Sequence, residues 1–250
     1  MHPGHQALLN ALHSLSGPDA PVSPGGDPYS GSPHARLGVA VPDLRRLAKS
    51  WLAETRGSST ETLLSLVDSL FAGELHDEKT LAALLVGYAK AARRAASPPR
   101  VGRWLDELAG WAEIDALCQN AFQAEDFLVD WDAWGPWIRK LASDSNINKR
   151  RASLVLLNGP VKGSDDPRLA DLAFANIADL QGERGILITK AVSWLLRCLI
   201  ARHRSDVVRY LDANRGALPA IAVREVSAKL ETGRKAASRR IKTGDALGES

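Results

Sequence analysis

The stretch GILITKAVSWLLRCLIARH, residues 185–203, is apolar almost throughout, yet it sets a lysine, a tryptophan and an arginine on one line at helical spacing: Lys190, Trp194 and Arg197. The spacing predicts a helix. The line on it is either a core edge, with a buried Trp between two snorkelling cations, or a binding surface, and the rest of the chain has to decide.

The same period recurs along nearly the whole sequence. VPDLRRLAKSWLAE (41–54) carries Pro42 where a first-turn proline belongs, followed by Leu44, Leu47, Ala48 and Trp51. STETLLSLVDSLFAG (59–73) and DEKTLAALLVGYAKAARR (77–94) each open on a residue able to cap a helix. RWLDELAGWAEIDALCQNAF (103–122), WDAWGPWIRKLASD (131–144), NINKRRASLVLLNG (146–159), PRLADLAFANIADL (167–180), DVVRYLDAN (206–214) and PAIAVREVSAKLE (219–231) continue the series. Alternation of the strand type is nearly absent, so the fold class is all-α. Short helices joined by short turns cannot bury their faces singly, and stacked antiparallel pairs, a HEAT-like α-solenoid, are the economical solution, although no strict repeat period is visible. Residues 1–235 are expected to form one such domain. The Pro, Gly and Ser content of 16–35 reads as a loop, and 236–250, basic at first and polar at its end, as a disordered tail.

With 45% hydrophobic residues in 250, the chain has ample material for a continuous core. Its 32 Lys+Arg against 29 Asp+Glu leave a net charge of only +3, so a polyanionic partner would have to be met by clustered charge. Lys79, Lys90, Arg93, Arg94, Arg202 and Arg204 fall near helix ends, where stacking could join them into a basic track. Cys118 and Cys198 lie in apolar helical runs without metal or disulfide spacing, which favours a reducing cytoplasm. The N-terminus lacks a signal-peptide pattern, and no apolar run approaches the roughly 20 residues that span a bilayer. There is no nucleotide-cradling glycine loop, HExxH or GxSxG, and the six histidines have no ligand spacing, so no metal and no nucleotide cofactor is expected.

Two further stretches could carry chemistry. In GWAEIDALC (110–118), Asp115 interrupts the apolar stripe Trp111, Ile114, Cys118, one helical turn from Trp111. Such a carboxylate is either paired with an arginine or a helix terminus for structure, or it stands beside an aromatic wall to do work. In NINKRRASL (146–154), Lys149, Arg150 and Arg151 occupy the first turn of a helix against its dipole, which needs a reason. Phosphate is one reason, and a solvated helix start is the other.

The ordered set LGVAVPDLRRLAK, HDEKTLAALLVGYA, GWAEID, NKRRASL and ITKAVSWLLRCL, followed by VVRYLDAN and LPAIAVREVSAKL, resembles the AlkD-like DNA alkylation-repair glycosylases over nearly the whole chain. The resemblance implies a HEAT-like solenoid that grips duplex DNA and hydrolyses the N-glycosidic bond of cationic N3- or N7-alkylated purines without flipping the base. It implies catalytic roles for Trp111, Asp115, Trp194 and Tyr29, and DNA contacts by Arg151 and Arg197. Lys190, Arg150 and Lys149 are expected beside these on the DNA. The departure is at GDPYSGSPHA (26–35), where family members have helix-forming residues around the tyrosine. A cationic purine departs neutral and needs no acid, so indole faces and one carboxylate suffice to stabilise the developing sugar cation. The expected partner is alkylated double-stranded DNA, met by a cytoplasmic monomer without membrane attachment. The alternatives are a non-catalytic HEAT-repeat DNA-binding or scaffold protein and a peptide-binding HEAT module.

Overall fold

The computed structural model describes residues 2–17 and 29–235, so the expected tail at 236–250 and most of the expected loop at 16–35 lie outside the described residues. Regular structure among those described is helical, apart from isolated bridge residues in the segment before α2, Ala35 pairing in parallel with Leu75. The chain runs through α1 (Pro3–Ser16), α2 (Val41–Glu54), α3 (Thr60–Phe71), α4 (His76–Tyr88), α5 (Lys90–Ala95), α6 (Pro98–Asp106), α7 (Gly110–Asn120) and α8 (Ala124–Leu128). It continues through α9 (Trp131–Leu141), α10 (Ile147–Asn158), α11 (Pro160–Gly163), α12 (Pro167–Leu180), α13 (Ile186–Leu199), α14 (Arg204–Asn214) and α15 (Ala220–Thr232).

Local chemistry sets many of these boundaries. Pro42 lies in the first turn of α2, where its missing N–H costs nothing. Ser59, Asn146 and Asp166 accept hydrogen bonds from the N–H groups of Thr62, Asn148 and Arg168 at 3.0, 2.8 and 3.0 Å, starting α3, α10 and α12. Gly233, at φ 72°, takes the left-handed conformation that ends α15.

The helices stand in two rows. In the inner row α2, α4, α7, α10, α13 and α15 pack each against the next, while α3, α9 and α12 lie behind α4, α10 and α13. α6 is tied to α3 through Trp104, whose ring stacks on Phe71 at 5.1 Å and whose indole N–H donates to Asp68 at 2.6 Å. Turns of a few residues return the chain between rows, so paired helices run antiparallel, as expected of an α-solenoid. A continuous cluster of buried apolar side chains fills the space between the rows from Leu8 to Val226. Among the described residues no helix is long and apolar enough to cross a membrane.

One cation expected on a basic track is inside instead. Lys79 is 1% exposed, and its Nζ donates to the carbonyls of Phe71 at 2.7 Å and Gly73 at 2.9 Å, closing the C-terminal end of α3. Burial lowers its pKa, and the carboxylates of Glu113, Glu107 and Glu78 oppose that shift. Lys79→Met keeps the aliphatic stem and leaves both carbonyls unsatisfied. It should cost about 2–4 kcal/mol in urea unfolding, with an unchanged m-value; a variant as stable as the parent would show that other donors reach the end of α3.

Candidate DNA-lesion cleft

Side by side in the inner row, α7, α10, α13 and α15 border a cleft of ≈ 830 Å³ whose walls include Tyr29, Trp111, Arg151, Lys190, Trp194 and Arg197. The three residues on the line of α13 therefore share one cavity. Trp194 is half-buried, with part of its ring packed on the core, while Lys190 is exposed. Lys190 has no ion-pair partner among the described residues.

The segment that carries Tyr29 is a tight turn, not a helix. Its proline- and glycine-rich sequence could not pay for helical backbone, so individual hydrogen bonds hold it instead. The N–H of Trp111 donates to the Ser30 carbonyl at 2.9 Å, and the indole Nε1 donates to the Tyr29 carbonyl at 2.8 Å. The phenol ring meets Trp111 edge to face, centroids 5.5 Å apart at 89°. Gly110 permits this approach: its φ is 74°, and a Cβ there would collide with the Ser30 carbonyl oxygen.

Behind the turn lies a carboxylate that sequence reasoning missed. Glu113, fully buried in the first turn of α7, accepts from Ser32 Oγ, from His34 Nδ1 at 3.0 Å, from His76 Nδ1 at 3.1 Å and from the Ala109 N–H at 2.9 Å. Burial pushes this carboxyl up, but hydrogen bonds from His76, Ala109, Ser32 and His34 outweigh it and bring the pKa down to about 2. Asp77 accepts the N–H groups of Leu37 and Val39 at 2.9 and 3.0 Å, fixing the far end of the segment.

Asp115 is 7% exposed and stands behind the cleft wall. Arg151 grips it with two hydrogen bonds, Nε at 2.9 Å and Nη2 at 2.7 Å, and spends Nη1 on the Leu187 carbonyl at 2.5 Å. Burial pushes the Asp115 carboxyl above its ordinary value while Arg151 pulls it back. The basic start of α10 thereby finds its reason in carboxylates. Lys149 meets Asp106 at 2.5 Å; Arg150 meets Glu183 at 2.7 Å and the carbonyls of Asp144 and Ser145 at 2.8 and 2.9 Å. Of that triplet only Arg151 borders the cleft. Of the other helix-end cations, Arg93 is committed to Asp126 at 3.0 Å, Arg202 to Asp165 at 3.5 Å and Arg204 to the Leu230 carbonyl at 2.6 Å, while Lys90 and Arg94 are exposed.

The carboxylate that borders the cleft itself is Glu225 of α15, again unmarked by any spacing in the sequence. Cys118 and Cys198 are free and buried, and burial raises both thiols, so neither is a ready nucleophile. Among the described residues no three side chains of His, Cys, Asp or Glu converge so as to hold a metal ion.

Comparison with known proteins agrees with the geometry. A family model described as DNA alkylation repair enzyme matches residues 30–230. Two solved structures share the fold. One, called a "predicted DNA alkylation repair enzyme" from Enterococcus faecalis, has TM-score 0.60 at 18% identity, with 92% of this chain and 96% of that one covered. The other, AlkD2 from Streptococcus mutans, has TM-score 0.53 at 16% identity, with 91% and 98% covered. No curated protein matches the chain significantly.

The Glu113 cluster sets a pH dependence. A carboxyl held at about 2 in the fold and at an ordinary 4.5 when unfolded stabilises the protein fully above pH 4.5, and the contribution is lost as pH falls from 4.5 towards 2. It amounts to about 3 kcal/mol. Glu113→Gln should be destabilised by about that amount at pH 7 and should lose less stability than the parent on acidification; parallel acid limbs in chemical unfolding would place the linkage elsewhere.

Proposed function

Because the chain belongs to the DNA alkylation repair enzyme family, we propose that it is a DNA glycosylase that hydrolyses the N-glycosidic bond of cationic N3- or N7-alkylated purines in duplex DNA, without extruding the base. The observation that carries this reading is one cleft holding Tyr29, Trp111 and Trp194 beside Lys190, which has no ion-pair partner among the described residues, and the guanidinium of Arg197. We further read residues 1–235 as one helical-repeat domain acting as a monomer in a reducing cytoplasm, with no cofactor.

The reaction asks little of an acid. The C1′–N bond breaks, its electron pair neutralises the alkylated ring, and the base leaves uncharged. Water then adds to C1′ and gives up a proton. The barrier lies in the positive charge that grows on the deoxyribose. Indole faces stabilise a desolvated cation by about 0.5–2 kcal/mol each, and a carboxylate adds a full opposite charge. Trp111 and Trp194 supply the faces, and Asp115 supplies the charge. A phosphate that binds at the wall competes with Asp115 for Arg151, so DNA binding itself turns more of that charge towards the sugar. Lys190 and Arg197 take the backbone; Lys149 and Arg150, already paired, are left out of the contact.

A second reading, a duplex-binding solenoid without activity, is favoured by one observation: Asp115 is nearly enclosed and fully engaged by Arg151. Incubating the purified protein with duplex containing 7-methylguanine separates the two, because only the glycosylase releases free base. Uracil, a neutral base without a protonating group to help it leave, should not be released at a comparable rate. Trp194→Ala should slow release on the order of tenfold, the equivalent of about 1.4 kcal/mol in the transition state. Asp115→Asn should lose most release while still binding duplex. It should also unfold earlier, by about 3–5 kcal/mol, since it leaves Arg151 buried with an uncompensated charge. An Asp115→Asn protein as active as the parent would make that residue purely structural.

A further inference from the structure

Glu225 borders the cleft, is 6% exposed and has both oxygens occupied. Oε2 accepts from Ser193 Oγ at 2.7 Å and lies 3.3 Å from Arg197 Nε, while Oε1 lies 3.4 Å from Lys235 Nζ. Ser193 and Arg197 are one turn apart on α13 and so address α15 together. Ser193 is completely buried, which makes it an internal fastening for the carboxylate. Arg197 is 14% exposed along its side chain, and its Nε is shut off from solvent and makes no hydrogen bond, so Glu225 holds it as an ion pair at 3.3 Å. The two terminal nitrogens make no hydrogen bond among the described residues, and the guanidinium borders the cleft. Two turns earlier on the same face, Lys190 borders it as well.

We propose that Glu225 is a positioning residue for a phosphodiester site: fastened by Ser193, it holds Arg197 by the Nε edge and leaves the terminal nitrogens of the guanidinium to a phosphate of the DNA backbone. The assignment rests on the reading of the cleft as DNA-binding. A guanidinium offers carboxylate and phosphate the same fork of parallel N–H donors, and the edge left open is the one that sets the direction of the next ligand. Lys235 on the second oxygen leaves the cluster of one carboxylate and two cations net positive in front of a polyanion. Without Glu225, a largely buried Arg197 loses its counter-charge and gains most by turning out to water.

The sign of one substitution decides the matter. Counted as charge alone, Glu225→Gln adds one positive unit to the cleft and tightens binding of any polyanion. Counted as positioning, it weakens binding because Arg197 no longer points at the phosphate. The experiment is a titration of the full chain with undamaged duplex of fixed length, over a range of salt concentrations. Glu225→Gln is expected to bind about tenfold more weakly at low salt, with a salt slope shallower by about 0.9, the value of one lost phosphate contact. Arg197→Ala should behave the same way, and adding Glu225→Gln to it should weaken binding no further. Arg197→Lys, which keeps the charge but lacks the fork, should resemble Arg197→Ala and guards against a Glu225→Gln protein that does not fold. Binding by Glu225→Gln as tight as the parent or tighter, or full affinity in Arg197→Lys, overturns the proposal even where the parent releases alkylated base. A parent without duplex affinity removes this proposal and the DNA reading together.

Discussion

The cleft depends on one buried ion pair. Arg151, on α10, reaches back to Asp115 on α7 and forward to the Leu187 carbonyl on α13, so a single guanidinium joins three successive helices of the inner row. These helices carry Trp111, Arg151 and Trp194 respectively, and their spacing is the width of the cleft. Enclosing two ions is expensive, and their attraction repays the cost only with bidentate geometry and the remaining donors satisfied. For Arg151 the grip is bidentate and each of the three guanidinium nitrogens has an acceptor. The pair is therefore a device for fixing geometry more than a source of net stability, and the apolar core around it supplies the latter.

The same economy runs through the charged residues of the inner row. A net charge of +3 hides many cations, but most of those near helix ends are spent on carboxylates or carbonyls. Three positive side chains open α10 against its dipole because three carboxylates, Asp106, Glu183 and Asp115, come from other elements to meet them. What the cleft keeps for a ligand is correspondingly small and well placed.

Much of this was legible in the sequence. Helical period and short turns gave the stacked helices, because an apolar face repeats every 3.6 residues whatever it packs against. Trp111, Arg151, Lys190, Trp194 and Arg197, which the family resemblance and the basic runs singled out, share one cavity, whereas Asp115, expected in the cleft, stands behind its wall. Glu113 and Glu225 were not legible. Ser32 and His34 lie 81 and 79 positions from Glu113, and Ser193 lies 32 from Glu225, so no local spacing announces either cluster. Lys79 misled for a related reason: position near a helix end says nothing about whether the ammonium faces water or the carbonyls of a neighbouring helix. Tyr29 shows the opposite case, in which sequence excluded a helix and distant partners supplied order of another kind.

A cleft that selects a cationic base faces a conflict between its two ligands. Phosphates call for positive side chains at the wall, and the lesion calls for none nearby. Two like unit charges 4 Å apart repel by about 4 kcal/mol at an effective dielectric near 20, more than an indole face returns. On the proposed reading, pairing resolves the conflict. Arg151 is neutralised by Asp115 from behind, and Glu225, shared with Lys235, offsets part of the charge of Arg197 from the side, so the field of both guanidiniums is reduced while they stay at the cleft. Only Lys190 stays unpaired among the described cations lining the cleft, and it is exposed, where water screens it from the aromatic walls. Arginines of reduced field beside bare indoles let one cavity hold an anion and a cation at once.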